Sequence, residues 1–273
     1  MAEYINKELE QRYSNTIFLN AVLPLLKTIL EDTSSLQKKW QKRCVCQVSC
    51  LLNNGLAGNE GKAGIHFIFE NGTCTPVKGC CEQNPDLDLE FHSVEHLNLF
   101  FKSKTSKLPS LKGALKHPLL LVNFLSLLMK MGKLLGMTQA PKNEADQKLL
   151  VKCMFYLLSR GINILNKMEH PEVRNWTENS PDRVYAWAVE GHPDLSAHLR
   201  IKKGLSMARR GPYTKSMPFF TMKFDSPLSA LGILQGTADM IRFTIEGKLT
   251  MVGGPEYGAM LGDRMMLVGS YVK

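Results

Sequence analysis

The stretch GKLTMVGGPEYGAMLGDRMMLV, residues 247–268, decides the fold. Lys248, Thr250 and Val252 alternate with Leu249 and Met251, the two-residue period of a half-buried strand. Gly253, Gly254 and Pro255 end that strand. Pro255 suits the first turn of a helix, where its missing N–H is no loss, and Glu256 complements the positive end of the helix dipole. Tyr257, Met260, Leu261, Met265 and Leu267 then recur at helical spacing. A strand, a glycine turn and an apolar helix therefore close the chain.

The same unit occurs once before. KGALKHPLLLVNFLSLLMKMGKLL, residues 112–135, reads as a short strand beginning at Gly113, a break at Pro118 and an apolar helix. Upstream, LDLEFHS ends its alternating run at Phe91, 22 residues before Gly113, and FTMKFDS ends its run at Phe224, 23 residues before Gly247. Each run passes through a good N-cap, Ser93 or Ser226, into a short apolar helix. Repetition at this length marks a duplicated domain rather than a solenoid. Phe91 is expected to match Phe224, and Gly113 to match Gly247.

The flanking elements repeat in the same order. Residues 14–40 carry Ile17, Phe18, Ala21, Val22, Leu25, Leu26 and Ile29 at helical intervals, with Pro24 as a kink. CVCQVSCLL, a glycine-rich loop over 53–62, GIHFIFENG with its Asn71-Gly72 hairpin turn, and TCTPV follow as strands and turns. A second long helix over 145–168 then precedes the strands VYAWAV, LSAHLRIKK and PFFTMKF. The expected division is a first domain at 1–136 including its N-terminal helix, a linker at 137–145, and a second domain at 146–273.

With 273 residues, the chain is long enough for two domains that each bury a core. Its polar start, MAEYINKELEQR, lacks the pattern of a secretory signal, and its longest apolar run, residues 118–129, is too short to span a bilayer. A cytoplasmic location is expected. Seven cysteines match no familiar disulfide spacing; Cys44, Cys46 and Cys50 share one strand face, as small core side chains do, while a metal or redox role lacks a CxxC pair. The net charge of +9 is concentrated in residues 102–116 and 195–215, which contain no Asp or Glu. Those segments suit solvated faces or an anionic membrane surface; nucleic acid is not expected, since no aromatics interleave the basic residues.

These strands and helices resemble the sterol carrier protein type 2 family, twice over. Gly247, Lys248, Leu249 and Gly253 match the family's G-K-L-x-x-x-G strand; Lys112, Gly113, Ala114 and Leu115 match it less closely, and the strand 87–91 with the helix 94–101 fits its middle. The resemblance covers roughly residues 40–136 and 180–273. It implies an α+β fold of two tandem domains, each a five-stranded, mostly antiparallel sheet covered by helices. It further implies binding or transfer of an apolar ligand: fatty acid, acyl-CoA, sterol or phospholipid. The expected ligand-binding residues are Leu228, Leu231, Ile233, Met251, Tyr257, Met260, Leu261 and Met265, since the second copy holds most of the methionines and Tyr257 offers a hydroxyl to a polar head. The first copy's closing helix, with Leu121, Phe124, Leu125 and Leu128, suits a filled core. No nucleophile elbow, phosphate loop, metal-ligand or cofactor motif is present, so neither catalysis nor a cofactor is expected. The alternative is a protein–protein assembly module without ligand, and oligomerisation is compatible with either.

Overall fold

The computed structural model describes residues 2–52 and 61–273. The glycine-rich loop expected at 53–62 lies outside the described residues except for Gly61 and Lys62. The fold is α+β, with two five-stranded sheets of mixed direction, each packed with helices. Two compact units result, residues 1–132 with 271–273, and residues 133–270.

In the first unit, α1 (Ala2–Ile17) leads through a π-helical turn (Phe18–Val22) to α2 (Leu25–Glu31) and α3 (Ser34–Gln37). Pro24 interrupts the helix as its sequence requires, because it offers no N–H to the ladder. The strands are β1 (Cys44–Leu52), β2 (Gly61–Glu70), β3 (Thr73–Lys78) and β4 (Leu87–Phe91). Asn71 and Gly72 take φ of 51° and 72°, the left-handed pair that closes a tight β2–β3 hairpin. After β4, the Ser93 hydroxyl accepts the His96 N–H at 3.0 Å and starts α4 (Val94–Phe101). β5 (Ser110–Lys112) and α5 (Pro118–Leu135) complete the unit. The sheet runs β3-β2-β1-β4-β5, with β1 and β4 parallel and the other pairs antiparallel.

The second unit has α6 (Glu144–Lys167), α7 (Pro171–Glu178), β6 (Arg183–Val189), β7 (His192–Lys202), β8 (Leu205–Arg210) and β9 (Phe220–Phe224). After them come α8 (Pro227–Leu234), α9 (Met240–Ile245), β10 (Leu249–Val252) and α10 (Pro255–Val272). Its strand order, β8-β7-β6-β9-β10 with β6 and β9 parallel, repeats the first sheet strand for strand.

Register fixes which residues correspond. Phe91 ends β4 opposite Cys50, and Phe224 ends β9 opposite Val189, so that pair matches as expected. The glycine pair does not. Leu111 lies opposite Leu89 and Met251 opposite Met222, which makes Gly113 the counterpart of Gly253. Both have positive φ, 82° and 114°, and a Cβ on either would collide with a backbone oxygen, that of Asp86 or of Phe219. β5 thus ends before Gly113 instead of starting there. The likeness of KGAL to GKL misleads because the second unit inserts α9, and Gly247 belongs to that insertion.

The core face of the first sheet carries Cys46, Val48, Cys50, Phe67, Phe69, Leu87, Leu89 and Phe91, with Trp40 stacked on Phe69 at 3.8 Å. The other face keeps a polar cluster under the 79–85 segment: Gln47 and Ser49 each donate to the buried Asp88 carboxylate at 2.9 Å. α5 buries only one stripe, Phe124, Leu127, Met131 and Leu134, with Phe124 against Phe67 and Phe69. Leu119, Val122 and Met129 stand 73%, 61% and 67% exposed, so the helix is no filled core. Its apolar residues outnumber what one sheet face can cover.

Candidate functional site

Three side chains of α10 share a face at the spacing i, i+3, i+7: Tyr257, Met260 and Arg264. Opposite them stand Asn175, Trp176 and Asn179 from α7, with Ser180 just after it and Arg183 at the start of β6. Together they line an open cleft of about 270 Å³. α7 forms because Pro171 sits in its first turn, and Thr177 of that helix is held from beneath by Asn166 of α6 at 2.5 Å.

The walls are aromatic and the charges are cationic. Tyr257 meets Phe219 edge-on at 4.7 Å, and Trp176 meets Tyr185 at 5.3 Å. The Arg183 guanidinium lies 4.0 Å from the Phe219 ring centre and 5.2 Å from that of Tyr257. Arg264 lies 5.9 Å from the Trp176 ring centre, and its buried Nε has no hydrogen-bond partner among the described residues. Its acidic partner Glu172 is 3.9 Å from Nη1 and largely exposed. Asp182, beside Arg183 in sequence, is bonded through both oxygens to Arg200, at 2.7 and 2.6 Å. Two guanidiniums therefore face one cleft with little anionic compensation. An acceptor with several oxygens, such as a carboxylate, sulfonate or phosphate, matches their fork geometry. The Tyr185 hydroxyl, at the end of a ring packed on Trp176 and Phe219, is also buried without a hydrogen-bond partner among the described residues.

The eight expected ligand-binding residues do not gather at one place. Tyr257 and Met260 line the cleft. Leu231, Leu261 and Met265 are buried, the Met265 sulfur accepting the Trp187 indole N–H at 3.3 Å. Met251 is half-buried beneath Gly258, Ile233 is half-buried, and Leu228 is exposed on α8. Trp176, Arg183 and Arg264 were outside the expected set. The signal for Arg264 was present in the sequence, since it continues the Tyr257–Met260 face by one helical turn. Nothing local marked Trp176 or Arg183, which reach the cleft only through the packing of α7 on the sheet.

Elsewhere the expected segments resolve differently. In 195–215, Arg200 and Lys202 are tied to Asp182, and Arg210 lies over Tyr156, 4.7 Å from its ring centre. All seven cysteines are free thiols. Burial pushes Cys50 up to about 11 and Cys46 well above its ordinary value, while a hydrogen bond from Cys46 holds Cys44 below its own. Among the described residues, no three His, Cys, Asp or Glu side chains gather as metal ligands.

No protein-family model matches the chain, and no curated protein does. Among solved structures it is similar to the stereoselective inverting sec-alkylsulfatase Pisa1 from Pseudomonas sp., at 16% identity over 45% of this chain and 25% of that one, with a TM-score of 0.26. A double mutant of that sulfatase matches at 15% identity over 44% and 24%, with a TM-score of 0.25. The chain thus spans about a quarter of the length of the structures it matches. Both matched structures are of an enzyme, which stands against the expectation of a chain without catalysis. At these TM-scores, the likeness transfers no reaction to it.

Proposed function

We propose that the second unit binds one end of an amphipathic ligand, its anionic group on Arg183 and Arg264 and its first methylenes against Tyr257, Trp176 and Met260. The single observation carrying this is the pair of under-compensated guanidiniums in an aromatic cleft. Size narrows the class. About 270 Å³ falls just short of pockets that enclose a drug-sized molecule, roughly 300–1,000 Å³. The cleft suits the head of a fatty acid or similar amphiphile better than a whole sterol. The resemblance to sterol carrier proteins supports an apolar ligand independently, and transfer of that ligand is the role such binding would serve.

Native mass spectrometry after gentle purification, followed by titration with a fluorescent fatty acid, tests the reading. Met260→Trp fills the cleft and is expected to abolish uptake. Arg264→Gln removes a charge-assisted bond of about 1.5–3 kcal/mol, weakening a fatty acid at least tenfold but leaving the alcohol of equal length unchanged. Equal uptake by wild type and both variants would sink the reading, as would a bare dimer that takes up no fatty acid.

A further inference from the structure

Between Glu95 and Glu144 the chain carries eight lysines and no Asp, Glu or Arg. This one segment nearly equals the whole net charge of +9. Among the described residues, it also contains the most exposed large apolar side chains of the first unit. Leu119, Val122 and Met129 share a face of α5 at spacings of three and seven, and Leu115, fully exposed, precedes Leu119 by one turn. Lys116 and Lys133 stand exposed at the two ends of that stripe, and Lys107 is exposed beside the exposed Leu108 in the loop before β5. Only part of this charge is used inside the fold: Lys112 pairs with Glu90 at 2.7 Å, and Lys130 bonds Thr33 at 3.2 Å.

We propose that the outer face of α5, with the lysines around it, docks the chain on a membrane surface of anionic lipid. Apolar side chains and positive charge on one face require a partner that offers both an apolar interior and negative head groups. A bilayer rich in acidic lipid has that combination, with its acyl boundary lying just below the charged layer. Nucleic acid would leave the leucines in water. The segment 195–215, equally basic in sequence, exposes only Leu205 and Met207 of its large apolar side chains, on the strand β8, and its arginines are partly engaged with Asp182 and Tyr156.

The helix lies on the membrane and does not cross it. α5 has 18 residues and is long and apolar enough, by length and composition, to span. Its other stripe is committed to the fold, however. Phe124 is fully buried, 6.0 Å from the Phe67 ring centre and 6.2 Å from that of Phe69, and Leu127, Met131 and Leu134 are buried on the same side. Crossing would tear that stripe from the core, whereas lying flat leaves it in place and inserts Leu115, Leu119, Val122 and Met129.

The test is co-sedimentation of the full chain with vesicles of phosphatidylcholine mixed with phosphatidylserine, against vesicles of phosphatidylcholine alone. Binding is expected to the mixed vesicles and to fall steeply from low to physiological salt, as screening shortens the reach of the lysines. Each exposed lysine neutralised should cost about fivefold, so Lys107→Gln, Lys116→Gln and Lys133→Gln together weaken binding about a hundredfold. Leu119→Asn with Val122→Asn should abolish it, with circular dichroism unchanged because both side chains face solvent. Equal binding to both vesicle types, or no effect of either set of variants, overturns the proposal. So does loss of a dimer in Leu119→Asn/Val122→Asn with vesicle binding intact, which would assign the face to a second copy of the chain. Fatty-acid uptake by the cleft is unaffected by these variants, so failure here is distinguishable from failure of the ligand reading.

Discussion

Gly161→Ala tests how α10, which carries three cleft residues, is seated. Gly161 lies in α6, where alanine is ordinarily worth about 1 kcal/mol more than glycine. Here the added methyl would collide with Cγ1 of Val268 on α10 and come within 3.0 Å of Cγ2 and 3.3 Å of Cβ. Overpacking of that kind costs about 1–3 kcal/mol, so the net expectation is a loss of about 1 kcal/mol. Val268→Ala alone should cost about 2 kcal/mol, two methyl groups plus part of a cavity. In that background the methyl at 161 fits, and Gly161→Ala should now stabilise by about 1 kcal/mol, a coupling of about 2 kcal/mol within the range for touching residues. Denaturant unfolding should be followed by tryptophan emission in a Trp40→Phe background. Trp176 and Trp187 then report only the second unit, and one transition is not assumed for two units. A gain of about 1 kcal/mol in both backgrounds would mean that Gly161 and Val268 are not in contact, and the cleft geometry would fall with that contact.

The glycine register predicts that Gly113→Ala and Gly253→Ala each lower stability by more than about 2 kcal/mol, since positive φ and a backbone collision add, while Gly247→Ala, with open space around it, costs only about 1 kcal/mol in the same denaturation assay. Cys50 keeps its proton in the fold up to about 11 but loses it near 9.0 when unfolded. Cys50 should therefore contribute a fall in stability of about 1.4 kcal/mol per pH unit across that window, in addition to that of the still more strongly raised Cys46. Cys50→Ala should remove its share of the slope. Cys44, half-exposed and held below its ordinary value by Cys46, should be the first thiol alkylated near neutral pH, ahead of the buried Cys46, Cys50 and Cys153, as peptide mapping of the labelled protein will show.

The duplication could be read from periodicity because strand alternation and the Ser93 and Ser226 caps are local signals, and local chemistry determines both. The registration could not. An inserted helix, α9, displaces Gly247 from the place of Gly113, and only cross-strand pairing identifies Gly253 as the true counterpart. The site divided the same way. Tyr257 and Met260 lie on a helical face whose period is visible in sequence, whereas Arg183 joins them through a strand, and Trp176 through a helix, folded from elsewhere. The face of α5 went unread for another reason. Leu119 and Phe124 look alike in sequence, and only the single stripe the sheet can cover distinguishes exposed from buried.

A single pH change should separate the two proposed surfaces. Arginine and lysine stay charged throughout the acidic range, so acidification acts on their partners. A fatty acid loses its charge as pH falls through the ordinary carboxyl range, near 4–5. Its hold on Arg183 and Arg264 then weakens by the charge-assisted part of the bond, about tenfold or more. An alkylsulfonate of equal length, a much stronger acid, stays ionised and should bind unchanged at the same pH. That control also excludes acid unfolding as the cause, because an unfolded chain would lose both ligands. Vesicle docking, measured here with phosphatidylglycerol as the acidic lipid so that the net charge is a phosphodiester's and stays ionised, should persist where fatty-acid uptake has declined. If the fatty acid and the sulfonate decline together while circular dichroism is unchanged, the two arginines are not what holds the anionic end. If fatty-acid uptake does not change with pH, the cleft recognises the tail alone.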